Sequence, residues 1–165
     1  PTRRGQGLSR RRVRPAAREP RVTANRRQSA GRVWFERGLR FTCTQCNGCC
    51  GGAPGYVWVE QPEIERIAAF LGVPVPDFTR RYCRKVWWRT SLKELPDGDC
   101  IFLSPRGCQV YGVRPLQCRT FPFWRDLVET RGRWESEKHR CPGIGRGKLY
   151  SREEVDEIGR CERDT

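Results

Sequence analysis

Residues 41–52 read FTCTQCNGCCGG and place four cysteines, Cys43, Cys46, Cys49 and Cys50, within eight positions. Two residues between successive cysteines let a tight turn carry both sulfurs to one ion or cluster. Gly48, Gly51 and Gly52 supply backbone freedom that side chains would forbid. Adjacent cysteines tend to point their sulfurs apart. Cys49 and Cys50 are therefore expected to serve two ions, or two irons of one cluster, or to leave one of the pair unligated.

Working outward, a second group follows in CIFLSPRGCQVYGVRPLQCRTFPFW, residues 100–124, which carries Cys100, Cys108 and Cys118. Cys141 opens CPGIGRGKLY. Together these make eight sulfurs, or two sets of four. Zinc and iron–sulfur centres both take four thiolates, so the count fits two tetrathiolate sites, one larger polynuclear site, or one site with redox-active spares. The C-x2-C-x2-C run matches the start of a bacterial ferredoxin motif, although the Cys-Pro is remote at Cys141-Pro142; this favours iron–sulfur, 4Fe-4S in the first instance, over zinc. Arg114, Arg119 and Arg140 neighbour cysteines and are candidate hydrogen-bond donors to their sulfurs. Cys83 and Cys161 stand outside both groups and read as free thiols, Cys83 on a helix. His139, the sole histidine, lies in a charged run and reads as solvated. One histidine in that setting supports no nucleophilic triad, and GIGRG at 143–147 lacks the Lys-Ser/Thr of a phosphate loop and reads as a turn.

The chain has 165 residues and a net charge of +14, unevenly spread. Residues 1–32 hold eleven arginines and one acid, Glu19, for +10; residues 33–165 carry +4. Two tetrathiolate centres, each of formal charge −2, would bring the latter to about zero. The tail has no aromatic residue and no hydrophobic period, so residues 1–32 are expected to be disordered and residues 33–165 to form one cysteine-cluster domain. An Arg-rich arm can neutralise nucleic acid phosphates or an anionic membrane surface. No apolar stretch follows the arginines, so no export signal is expected, and no run reaches the roughly 18 apolar residues of a membrane span. A cytoplasmic, reducing location follows, in which ten cysteines read as metal ligands or redox groups rather than a disulfide framework.

The scaffold reads as a small, irregular α+β domain stapled by metal. Extended pieces are expected at 56–59 (YVWV), 85–92 (KVWWRTSL), 100–103 and 108–111. In QPEIERIAAFLG, Ile64, Ile67, Ala68 and Leu71 share one helical face, Pro62 suits the first turn and Gly72 the stop. PDFTRRYC, RPLQCR and SREEVDEIGR read as further helices, the last with a Ser151/Glu154 capping box. Trp87, Trp88, Phe121, Phe123 and Trp124 are expected to fill the core and shield sulfurs from water.

The joint pattern CTQCNGCC, CIFL, CQVYGVRPLQCRTFPFW and CPG, with the EIERIAAFLG helix between, resembles the CxxCxxCC cysteine-cluster family, a YkgJ-type zinc- or iron-chelating domain, over about residues 38–160. The resemblance implies metal chelation through Cys43, Cys46, Cys49, Cys50, Cys100, Cys108, Cys118 and Cys141 in a bacterial-type cytoplasmic protein. It implies no particular reaction. A similar domain occurs in flagellin lysine-N-methylases, but no other region of such an enzyme is evident in these residues. Three functions follow in order: a metal-binding electron-transfer or redox module with a partner protein, an iron–sulfur-dependent modifying enzyme, and a zinc-stapled nucleic-acid-binding protein that uses the Arg-rich arm. No catalytic motif is found for the second.

Overall fold

The helix expected around EIERIAAFLG forms as α1, Gln61–Leu71, in a computed structural model that describes residues 33–52 and 54–161; the tail over 1–32 lies outside them. Pro62 occupies the first turn and Gly72 closes the helix at φ 67°, in the left-handed region. Its apolar face buries Ile64, Ile67 and Ala68. Against it packs α2, Val75–Tyr82, whose Phe78 and Tyr82 rings lie 5.2 Å apart. These residues join Leu92, Phe102 and Val110 in one hydrophobic cluster. Full burial of side chains such as Ile67 and Phe78 contributes about 1.5–3 kcal/mol each.

A second cluster joins residues 35–41 to residues 121–155. Strand β1, Leu39–Phe41, pairs antiparallel with a strand at Lys148–Tyr150, with Leu39 opposite Tyr150. Sequence reading passes over this pair because each strand spans only three residues. The pair, Phe121, Phe123, Trp134, Ile144 and Val155 form the cluster, with the Phe123 and Trp134 rings stacked at 5.7 Å. The C-terminal helix, Arg152–Cys161, supplies Val155, and its capping box forms: Ser151 N–H donates to Glu154 Oε2 at 2.8 Å and Glu154 N–H to Ser151 Oγ at 3.2 Å.

The remaining strands differ from expectation. KVWWRTSL is not one strand: β2, Cys83–Val86, and β3, Arg89–Leu92, form a hairpin that turns on Trp87-Trp88. Trp87 and Trp88 are therefore not core residues; they are 86% and 81% exposed. Cys83 belongs to β2 rather than to a helix. Residues 56–59 contribute a single bridge, Trp58 to Ser91. The 100–111 region folds as a small hairpin of β4, Leu103–Ser104, and β5, Gly107–Cys108. Then α3, Leu116–Thr120, follows Pro115 as read, and α4, Arg125–Val128, and α5, Arg131–Ser136, complete the link to β6, Lys148–Tyr150, and α6, Arg152–Cys161. Short helices and two-stranded antiparallel pairs give a small α+β domain. Among the described residues no helix is long and apolar enough to cross a membrane.

One buried carboxylate ties these parts together. Glu63, 7% exposed, accepts Leu116 N–H at 2.6 Å through one oxygen and Glu60 N–H at 3.0 Å through the other. It thereby fixes the start of α3, which carries Cys118. Glu63→Ala is expected to strand both donors and lower stability by about 1–3 kcal/mol in denaturant melts, whereas substitution of exposed Glu65 should change little.

Candidate metal centre

The two hydrophobic clusters meet at a cavity of about 80 Å³. Phe41 and Phe121 form its wall on one side, and Leu92, Phe102 and Val110 form it on the other. All eight candidate ligands line it: Cys43, Cys46, Cys49, Cys50, Cys100, Cys108, Cys118 and Cys141. Cys83 and Cys161 do not. Burial pushes the Cys83 thiol up to about 11, which keeps it neutral.

Each wall reaches the cavity by its own local logic. The 41–52 loop turns through two left-handed residues, Gln45 at φ 54° and Asn47 at φ 62°, and Cys50 N–H closes the turn on the Asn47 carbonyl at 2.8 Å. Cys100 N–H then donates to the Cys50 carbonyl at 2.7 Å, joining the first cysteine group to the second. On the opposite side Gly48 lies against the backbone of Arg140, and the Cys46 thiol faces the Arg140 carbonyl at 3.9 Å. Gly48 is thus required by close approach rather than by a special φ. Gly52, at φ 108°, does use the freedom expected of it.

Cys49 and Cys50 depart from expectation. Their sulfurs do not diverge but sit 3.9 Å apart. Two thiolates on one tetrahedral zinc, each at about 2.3 Å, lie about 3.8 Å from one another, so the pair is spaced to share an ion. A hydrogen bond from the Cys50 thiol, helped by the Arg114 and Arg140 charges, lowers Cys49 to about 6, while the same bond and burial push Cys50 up. Burial also raises Cys100, Cys108, Cys118 and Cys141. A cation would reverse this, because thiolates held in an apolar wall need a positive partner. In the metal-free chain at pH 7, iodoacetamide is expected to alkylate Cys49 well ahead of Cys50 and Cys118, read by peptide mapping. Equal rates would remove the asymmetry.

The sulfurs fall into two neighbourhoods. Cys100, Cys108 and Cys118 act on one another electrostatically and on the Cys49–Cys50 pair. Cys141 feels Cys46, Cys49 and Cys43. Cys49 belongs to both. Among the described residues no three His, Cys, Asp or Glu side chains are drawn into single-ion geometry. The donor set, its shared cavity and the spacing of the Cys49–Cys50 pair nonetheless fit a thiophilic metal or cluster.

The arginines serve differently from expectation. Arg114 stacks 3.6 Å over the Tyr111 ring and donates through Nε to the Tyr111 carbonyl at 2.9 Å; Arg140 pairs with Glu137 at 2.9 Å. Both act on Cys49 through charge. Arg119 lines the cavity. Tyr111, which the sequence reading did not single out, also lines it, and the neighbouring Cys43 raises the phenol. His139 is exposed and outside the lining.

No solved structure matches the chain. The uncharacterized protein MJ0661 of Methanocaldococcus jannaschii is 34% identical over 93 residues, 54% of this chain and 48% of the relative, so the chain spans about half that protein's length. Residues 42–142, more than half of the chain, match the family described as "CxxCxxCC: Putative zinc- or iron-chelating domain". That span runs from the residue before Cys43 to the one after Cys141 and contains all eight cavity cysteines, and the chain belongs to the CxxCxxCC family.

Proposed function

We propose that this chain is a metal-binding module of the cytoplasm that holds iron–sulfur, 4Fe-4S in the first instance, with four thiolates per cluster drawn from Cys43, Cys46, Cys49, Cys50, Cys100, Cys108, Cys118 and Cys141, and that it serves electron transfer with a redox partner protein. The observation that carries this reading is the lining of one cavity by all eight cysteines. Cys43, Cys46 and Cys141 would supply one side of the site, Cys100, Cys108 and Cys118 the other, with Cys49 and Cys50 between. The bound group would supply reversible one-electron chemistry. The chain's own residues would hold it, exclude water with Phe41, Phe102 and Phe121, and bias its potential with the Arg114 and Arg140 charges.

Zinc is the second reading, favoured by the 3.9 Å Cys49–Cys50 spacing. It would make the domain a structural chelator, with the Arg-rich segment 1–32 as the place of nucleic acid binding. Protein purified without oxygen is to be analysed for iron, zinc and acid-labile sulfide. Irons and sulfides in equal number, about four of each per centre, with broad absorption near about 400 nm that bleaches on reduction, are expected. Colourless protein with one or two zincs selects the second reading, and protein without metal overturns both.

A further inference from the structure

The β2–β3 hairpin exposes what the core would be expected to claim. Its turn consists of Trp87 and Trp88 alone, since Val86 and Arg89 are the last paired residues. The two rings stack on each other at 5.7 Å, inclined by 26°, and both project into solvent. Trp87 holds φ 53°, in the left-handed region that a two-residue hairpin ordinarily fills with glycine. An aromatic side chain stands where packing does not need it and backbone geometry opposes it.

The surroundings are basic. Residues 79–92 contain Arg80, Arg81, Arg84, Lys85 and Arg89 and no acid. Arg80 and Arg84 pair with Asp77 and Glu94, while Arg81 and Lys85 are exposed. The nearby aromatic faces are already covered. Tyr56 and Trp58 stack at 4.8 Å, Arg84 lies 5.0 Å over the Tyr56 ring and Arg89 4.1 Å over that of Trp58. Nucleic acid would need separate aromatic faces, each free to take a base, along a basic groove, whereas Trp87 and Trp88 stack on each other. A protruding indole pair flanked by Lys85 and Arg89 suits a flat anionic surface instead, because indoles settle at the lipid–water interface and the cations meet acidic headgroups.

We infer that the Trp87–Trp88 hairpin tip is a docking element for the anionic phospholipid surface of a membrane. It acts independently of the metal centre. The test is co-sedimentation of the full metal-loaded chain with vesicles of phosphatidylcholine alone, or with about one-third phosphatidylserine, at physiological salt. The wild type is expected to bind the anionic vesicles, and W87A/W88A to bind about tenfold more weakly or worse while retaining its metal. Trp87→Gly, which suits the backbone angle, provides a second variant compatible with the turn and is expected to lose part of the binding. Because both variants keep residues 1–32, vesicle binding equal to wild type would assign any attraction to the arginine segment and overturn the inference. Absence of vesicle binding by the wild type would overturn it too, as would tryptophan-dependent binding of a thymidine 20-mer without vesicle binding.

Discussion

Removal of metal by a chelator is expected to lower the melting temperature of this protein by about 10–20 °C and to make the 41–52 loop broadly susceptible to protease. The cavity lies where the two hydrophobic clusters meet, and its sulfurs come from segments about 50–100 residues apart in sequence. A cross-link of that span removes denatured-state entropy worth about 4–5 kcal/mol in the chain-entropy picture, and a metal that binds only the folded chain acts in the same direction. Without metal, the loop is tied to the second cysteine group by the Cys100 to Cys50 backbone hydrogen bond and to the Arg140 backbone by contact at Gly48. The apo chain should keep much of its far-ultraviolet dichroism, because α1 and α2 have a cluster of their own. An unchanged melting temperature would mean that the folded domain does not depend on the metal.

Gly48→Ala is expected to cut metal affinity by about 10–100-fold without removing any ligand. A Cβ at that position would meet the Arg140 carbonyl oxygen at 2.2 Å and its carbon at 3.2 Å. Both are backbone atoms, one residue from Cys141, and no rotamer relieves the clash. The loop must retreat from Cys141 and carry Cys46 and Cys49 with it. Gly112→Ala is the matched control, since a Cβ there meets nothing within 4 Å. Competition titration with a chromophoric chelator reads both variants, and equal affinity would show that the loop tolerates displacement.

Much of the fold was legible because local signals agreed with tertiary ones. In α1 the apolar period, Pro62 and Gly72 all point to the same boundaries, and in α6 Ser151 and Glu154 cap as their spacing predicts. The hairpin at 83–92 was misread for a physical reason: its turn residues are tryptophans, and neither propensity nor hydropathy marks Trp87 as a left-handed turn. The eight cysteines were legible as a set through their spacing. Their gathering around one cavity was not, since it depends on Gly48 packing against Arg140 and on Glu63 anchoring α3. The closeness of the Cys49 and Cys50 sulfurs runs against the tendency of neighbouring side chains to diverge, and it follows from the turn that Asn47 closes.

The most direct test of the central claim is the metal-to-protein ratio of single Cys→Ser variants purified alongside the wild type. Cys43→Ser, Cys118→Ser and Cys141→Ser, drawn from both walls of the cavity, are expected to lose most of the bound metal. Cys83→Ser and Cys161→Ser, outside its lining, should retain the wild-type ratio. Equal loss from all five, or full retention by the first three, would contradict a centre built from the eight cavity cysteines.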